Sequence, residues 1–158
     1  MVDNKEASIG QARKRLAQLK LPNATLVQSN LDYFIRRFDL GVALHACGVA
    51  TDLVLDKCRA TRASFVLCPC CYGNLALDMP VSYPRSRLFY QRGITPSDHS
   101  LLARLADHVT ATGRSAMAAV DLDRAAVALE DGYRVTLTKL KPDSCSPKHD
   151  LLIGMPIV

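Results

Sequence analysis

Ile9, Ala12, Leu16 and Leu19 recur at helical spacing with Arg13, Lys14 and Arg15 mostly off their face, so residues 6–20 predict an amphipathic helix, stopped by Pro22-Asn23. Ala24-Thr25-Leu26-Val27 predicts a strand, and Ser29-Asn30-Leu31-Asp32 a turn into a short helix over 33–37. Leu40-Gly41-Val42-Ala43-Leu44 shows no alternation of apolar and polar residues, which predicts a strand covered on both faces. Ser64-Phe65-Val66-Leu67-Cys68 reads as another buried strand, ended by Pro69. The segment between them, 50–61, reads as a return helix with Thr51 or Gly48 as its cap and Asp52 in its first turn, where a negative charge suits the helix dipole. Strand, loop and helix in this order predict an α/β fold with a parallel sheet and right-handed crossovers.

The stretch from Cys70 to Pro96, punctuated by Pro80, Pro84 and Pro96, is longer than an ordinary connection, and loops of that length are often functional. Ser97 is placed to cap a helix carrying Leu101, Leu102, Leu105, Ala106 and Val109. A second helix from about Met117 carries Val120, Leu122, Ala126 and Leu129 and ends at Gly132. Residues 133–138 and 151–155 follow with no helix between them and predict an antiparallel hairpin. No repeat or linker interrupts residues 1–158, which read as a single domain.

With 49% hydrophobic and 22% charged residues, the chain can bury an ordinary core. The net charge of +5 permits an anionic partner, although basic residues spread over amphipathic segments more often mark solvated helix faces. No apolar run is long enough to cross a membrane and the first residues lack the core of a secretory signal. A reducing, cytoplasmic setting is expected, so the six cysteines read as thiols.

Two strings carry the candidate chemistry. Leu44-His45-Ala46-Cys47-Gly48-Val49-Ala50-Thr51-Asp52 and Cys68-Pro69-Cys70-Cys71-Tyr72-Gly73 each follow a predicted strand, so both loops should open at one sheet edge, where open α/β sheets bind ligands. Cys47, Cys68, Cys70, Cys71 and His45 are of the types that bind zinc or an iron–sulfur cluster. The C-x-C-C spacing is not a paired knuckle, however, and neighbouring cysteines rarely point at one ion. Close-packed thiols at a tight turn are the favoured reading, beside a metal or a reactive thiol, and no metal site is assigned. His99, His108 and His149 read as surface or capping residues, and Cys58 and Cys145 as structural.

A parallel sheet that finishes in an antiparallel hairpin resembles the second half of a class I, S-adenosylmethionine-dependent methyltransferase, a Rossmann-like fold. Residues 43–52 and 68–73, with Val120-Asp121-Leu122-Asp123-Arg124-Ala125 and Ser144-Cys145-Ser146-Pro147-Lys148, resemble the methyltransferase-like region of the glutathione S-transferase C-terminal domain-containing family. The likeness runs in order across nearly the whole chain. A weaker one, limited to His-x-Cys-Gly and Ala-Thr-Asp, extends to tRNA ribose methyltransferases. The family fold binds its cofactor over a glycine-rich loop after its first strand, because only glycine admits so close a backbone approach. No Gly-x-Gly string occurs here, and the likeness begins at the end of the second strand. The chain is therefore expected to be an N-terminally incomplete domain, inactive alone, with Leu40–Leu44 left at an unpaired edge that invites self-association.

The resemblance implies roles for particular residues. Asp3 would accept hydrogen bonds from the cofactor ribose, and Asn30 with Leu31 would meet the adenine; read without the resemblance, Asp3 is an N-cap and Asn30 a turn residue. His45 would lie beside the methyl acceptor, where imidazole has the pKa to take a hydroxyl proton, or else be a buried structural histidine. Asp52 would orient His45 or act as a base, or else serve its helix start. On the substrate side Cys70 and Tyr72 would line the acceptor pocket. Arg85 and Arg87, among the aromatic and basic residues of 83–92, suit RNA, or else sit solvated on an anchored loop. The competing reading is a non-catalytic binding or scaffold module.

Overall fold

The computed structural model describes residues 1–75 and 81–157, which form two compact units, Met1–Arg37 and Phe38–Val158. Pro80, one of the prolines that punctuate the long loop, lies outside the described residues.

In the first unit, β1 (Val2–Asp3) pairs in parallel with β2 (Val27–Gln28), and α1 (Glu6–Gln18) connects them. The strand expected over 24–27 reduces to its last residue plus Gln28. The helix expected over 33–37 is replaced by a 3₁₀ turn at Leu31–Tyr33. Ile9 is the buried residue of α1. One apolar anchor on a helix of 13 residues explains why so little strand is recruited beside it.

The second unit is built on a four-stranded mixed sheet of order β3 (Leu40–Ala46), β4 (Ser64–Pro69), β6 (Asp150–Pro156), β5 (Tyr133–Lys139). The first pair is parallel, joined through α2 (Val49–Thr61). The predicted hairpin forms, and its second strand enters antiparallel between β4 and β5. Gly154 makes that insertion possible. It faces Phe65 across the pair, and a Cβ there would run into the Phe65 ring.

Helices α2 and α5 (Ala111–Glu130) pack on one face of the sheet. Leu55 and Cys58, Ala125 and Ala128, Phe65, Leu67, Tyr133 and Leu152 form one core there. Tyr133 donates its hydroxyl to the carbonyls of Cys58 and Ala63, 2.9 and 3.1 Å away, tying β5 to the end of α2. Both helices use that same face, so β3 is not covered on both sides as its composition predicts. Gly41 is buried, whereas Leu40, Val42 and Leu44 are 53%, 67% and 64% exposed.

A second core joins Tyr72, Val81 and Tyr83 to Ala103 of α4 (Pro96–Leu105), to Ala106 at its C-cap and to Met117 and Val120 of α5. The long connection is thus partly structured, with a 3₁₀ turn at Tyr72–Asn74 and the short α3 (Arg87–Gln91). Thr95, not Ser97, caps α4: its side chain accepts from the Asp98 amide while the Asp98 carboxylate accepts from the Thr95 amide, with Pro96 opening the helix. Thr110 caps α5, which opens at Ala111, six residues before the Met117 start that the apolar pattern suggests.

Candidate functional site

The parallel pairing of β3 and β4 breaks at its C-terminal end. Leu44 lies opposite Cys68 and Ala46 opposite Pro69, so His45 is a bulged residue without a partner. Its φ of 54° is in the left-handed region, uncommon for a residue with a Cβ and concentrated at functional sites. The bulge turns an exposed imidazole out at the sheet edge, and among the described residues no protein group hydrogen-bonds to its ring.

Hydrogen bonds fix the loops on either side. The Thr51 hydroxyl donates to the Ala46 carbonyl (2.6 Å), and the Gly48 amide donates to the Cys71 carbonyl (3.0 Å), joining the two sulfur-bearing strings directly. Gly48 has φ 55° and packs against Asn74, a position that only glycine fills without strain. Asp107 holds the second string from below by accepting from the Tyr72 and Gly73 amides (3.1 and 2.7 Å) and from Lys148 Nζ (2.9 Å). Burial opposes ionisation of Asp107, but Lys148 and these amides prevail and hold its pKa below the ordinary carboxylate value.

The convergence brings Cys47, Cys70 and Cys71 together. Cys47 Sγ lies 3.1 Å from Cys70 Sγ and 3.2 Å from Cys71 Sγ, and the two neighbouring sulfurs are 3.5 Å apart. Adjacent cysteines therefore do face one point here, against the expectation from their spacing. The turn after Pro69 folds both side chains toward Cys47. Burial, then the neighbouring thiols, push the Cys70 pKa up. Cys68 and Cys58 are buried apart from the cluster, and burial raises Cys58 to about 11. Cys145 is exposed, contrary to a structural role.

Asp52 is not beside His45. It is fully buried, bonded to Arg124 Nη2 (2.7 Å), Arg85 Nη1 (2.7 Å) and the Tyr83 hydroxyl (2.8 Å). Burial alone would raise its pKa, but the charges and hydrogen bonds of these partners hold it below the ordinary value. Arg124 also reaches Asp121 (3.0 Å), which accepts from the Tyr72 hydroxyl (2.6 Å). Asp123 accepts from the Ser86 hydroxyl and the Arg85 amide, both at 2.6 Å, and lies 3.3 Å from Nε2 of a buried His99 that stacks on Tyr83.

Two substrate-side candidates are thus used internally. Tyr72 is 1% exposed beneath Arg124 and Lys148, and Arg85 spans Asp52 and Asp56. Arg87 remains on the surface, beside Glu130. Sequence reasoning missed the Asp107–Lys148 anchor and placed His99 at the surface. The available signal for the network was Asp121, Asp123 and Arg124 standing inside an otherwise apolar helical run.

In the first unit, parallel pairing sets the end of β1 beside the end of β2, and the Ser29 amide donates to the Asp3 carbonyl (3.1 Å). Asp3 and the exposed Asn30 therefore share one edge. One Asp3 oxygen accepts from the Lys5 amide (2.8 Å). A cleft of about 690 Å³ beside it is walled by Asp3, Ala7, Gln11, Arg15, Leu16 and Leu26. Leu31 is half-buried in the turn that follows Asn30.

Residues 1–78 match the sequence profile of a methyltransferase domain. Along 99% of its length the chain is 44% identical to the glutathione S-transferase C-terminal domain-containing protein of Bos taurus and 43% identical to that of Homo sapiens. It is 45% identical to the Drosophila pseudoobscura pseudoobscura homolog over 98% of its length. It covers 26–28% of these relatives, about a quarter of their length. No solved structure matches it significantly.

Proposed function

Because the chain belongs with the methyltransferase-like region of the glutathione S-transferase C-terminal domain-containing proteins, we propose that it binds S-adenosylmethionine and serves methyl transfer to RNA. The observation that carries this reading is the parallel register of β1 and β2, which sets Asp3 and the Ser29–Leu31 turn at one edge of the first unit. The donor set suits a nucleoside. The second Asp3 oxygen has no hydrogen bond among the described residues and suits a ribose hydroxyl; the polar edge of Asn30 and the apolar Leu31 suit a purine. When bound, the cofactor supplies a sulfonium-activated methyl group.

On the second unit, the β3 bulge leaves the His45 imidazole exposed, and this reading assigns it to take the proton of an acceptor hydroxyl. Asp52 has no part in that step, since its oxygens are satisfied by Arg124, Arg85 and Tyr83. Contact with an anionic acceptor falls to the exposed side chains of α3 and its end, Arg87, Tyr90 and Arg92, rather than to the buried Arg85 and Tyr72.

Calorimetric titration of S-adenosylmethionine into this chain, and into a version extended upstream, tests the proposal. Binding is expected to weaken about tenfold in D3N, the loss of one charge-assisted hydrogen bond. Absence of binding in both versions overturns it. RNA retention that is unchanged when Arg87 and Arg92 are both replaced by glutamine removes α3 from the acceptor surface.

A further inference from the structure

We propose that Cys47, Cys70 and Cys71 form a three-thiolate site for a thiophilic divalent cation of the zinc class, its fourth position open to solvent. The inference is independent of the methyl-transfer reading, since it rests on the geometry of the sulfurs alone.

The three Sγ atoms lie between 3.1 and 3.5 Å apart and make a closed triangle, the one group of potential ligands among the described residues that converges in this way. A tetrahedral ion about 2.3 Å from each sulfur holds a pair of sulfurs about 3.8 Å apart, so loading requires each edge to open by only a few tenths of an ångström. The freedom for that lies in the side chains, because the backbone is held independently. Gly48 is bonded to Cys71, Thr51 to Ala46, and Asp107 to the two amides that follow Cys71. A site whose scaffold is fixed without the ion loses little entropy on binding.

Sulfur ligands on one side and solvent on the other fit the pattern of three protein ligands plus an exchangeable water. Cys47 is exposed and Cys70 and Cys71 are half-buried, which gives an ion a path in. Among the described residues no carboxylate joins the cluster, so its ligand set does not suit oxygen-preferring cations.

The test uses the whole chain, purified under reducing conditions and treated with chelator, then titrated with Co²⁺ and competed with Zn²⁺. The expected result is one equivalent of Co²⁺ per chain, a thiolate-to-cobalt charge-transfer absorption, and its loss on adding Zn²⁺. C47S and C71S are expected to lose most of that absorption, while C145S, which alters an exposed cysteine outside the cluster, keeps it. Circular dichroism on each variant separates loss of the site from loss of the fold. If C47S and C71S are both unfolded, alkylating the folded wild-type chain and mapping Zn²⁺ protection of Cys47, Cys70 and Cys71 by mass spectrometry decides instead. Absence of stoichiometric binding by the reduced wild-type chain overturns the proposal, as does equal binding by a folded C47S variant.

Discussion

The Asp52 carboxylate, inside the first turn of α2, is the anion around which Arg124, Arg85 and Tyr83 are arranged. Its type and place near the helix start were legible in the sequence, but its partners were not. Arg85 lies 33 positions away and Arg124 72, and nothing local ties either to Asp52. Removing one charge from such a group leaves the opposite charges buried and uncompensated, which costs about 3–5 kcal/mol. D52N is therefore expected to lower stability by about that amount in urea unfolding, and a change within about 0.5 kcal/mol would contradict the packing described for this residue. His45 differs. Its place after a strand was legible, whereas the bulge that exposes it arises from the register between β3 and β4, which no single strand encodes.

Among the elements, α4 shows why a cap is harder to read than a helix. Thr95-Pro96-Ser97-Asp98 offers two hydroxyls, and the choice follows from Pro96, whose fixed φ suits the first helical position and leaves Thr95 outside it. Replacing Thr95 with alanine is expected to destabilise the fold by about 1 kcal/mol, and the same change at Ser97 by less than about 0.5 kcal/mol, both read from urea midpoints. Equal effects would return the cap to Ser97. The strands of the second unit were legible from their apolar runs, but β3 shows the limit of that signal. An apolar run announces a strand and says nothing about which face finds a helix, and here Leu40, Val42 and Leu44 do not. The short β1 and β2 were harder still, since two residues each leave no pattern to count.

For the molecule as a whole, acid sensitivity follows from the buried and anchored carboxylates. Asp52, Asp107 and Asp123 are all held below the ordinary value of 3.8 despite burial, by Arg124 and Arg85, by Lys148 and two amides, and by His99, Ser86 and the Arg85 amide respectively. A depressed folded pKa contributes stability that is complete above the unfolded value and lost as pH falls through the folded one. Asp121 has the opposite sign, because burial raises it, and offsets part of the loss. Melting temperature is thus expected to hold from neutral pH to about pH 5 and to drop below about pH 4, measured by circular dichroism; a rise on acidification would contradict it.

The place of β6 between β4 and β5 has a consequence in time. As a ribosome releases the chain, β4 and β5 emerge with no pairing to each other, and the strand that joins them is made after both. The α2 and α5 helices can form beforehand from local contacts, but the sheet they pack on stays divided until residues 150–156 are free. During that interval β4 carries an open edge of Phe65, Val66 and Leu67, so the nascent chain is adhesive there until β6 emerges to cover it.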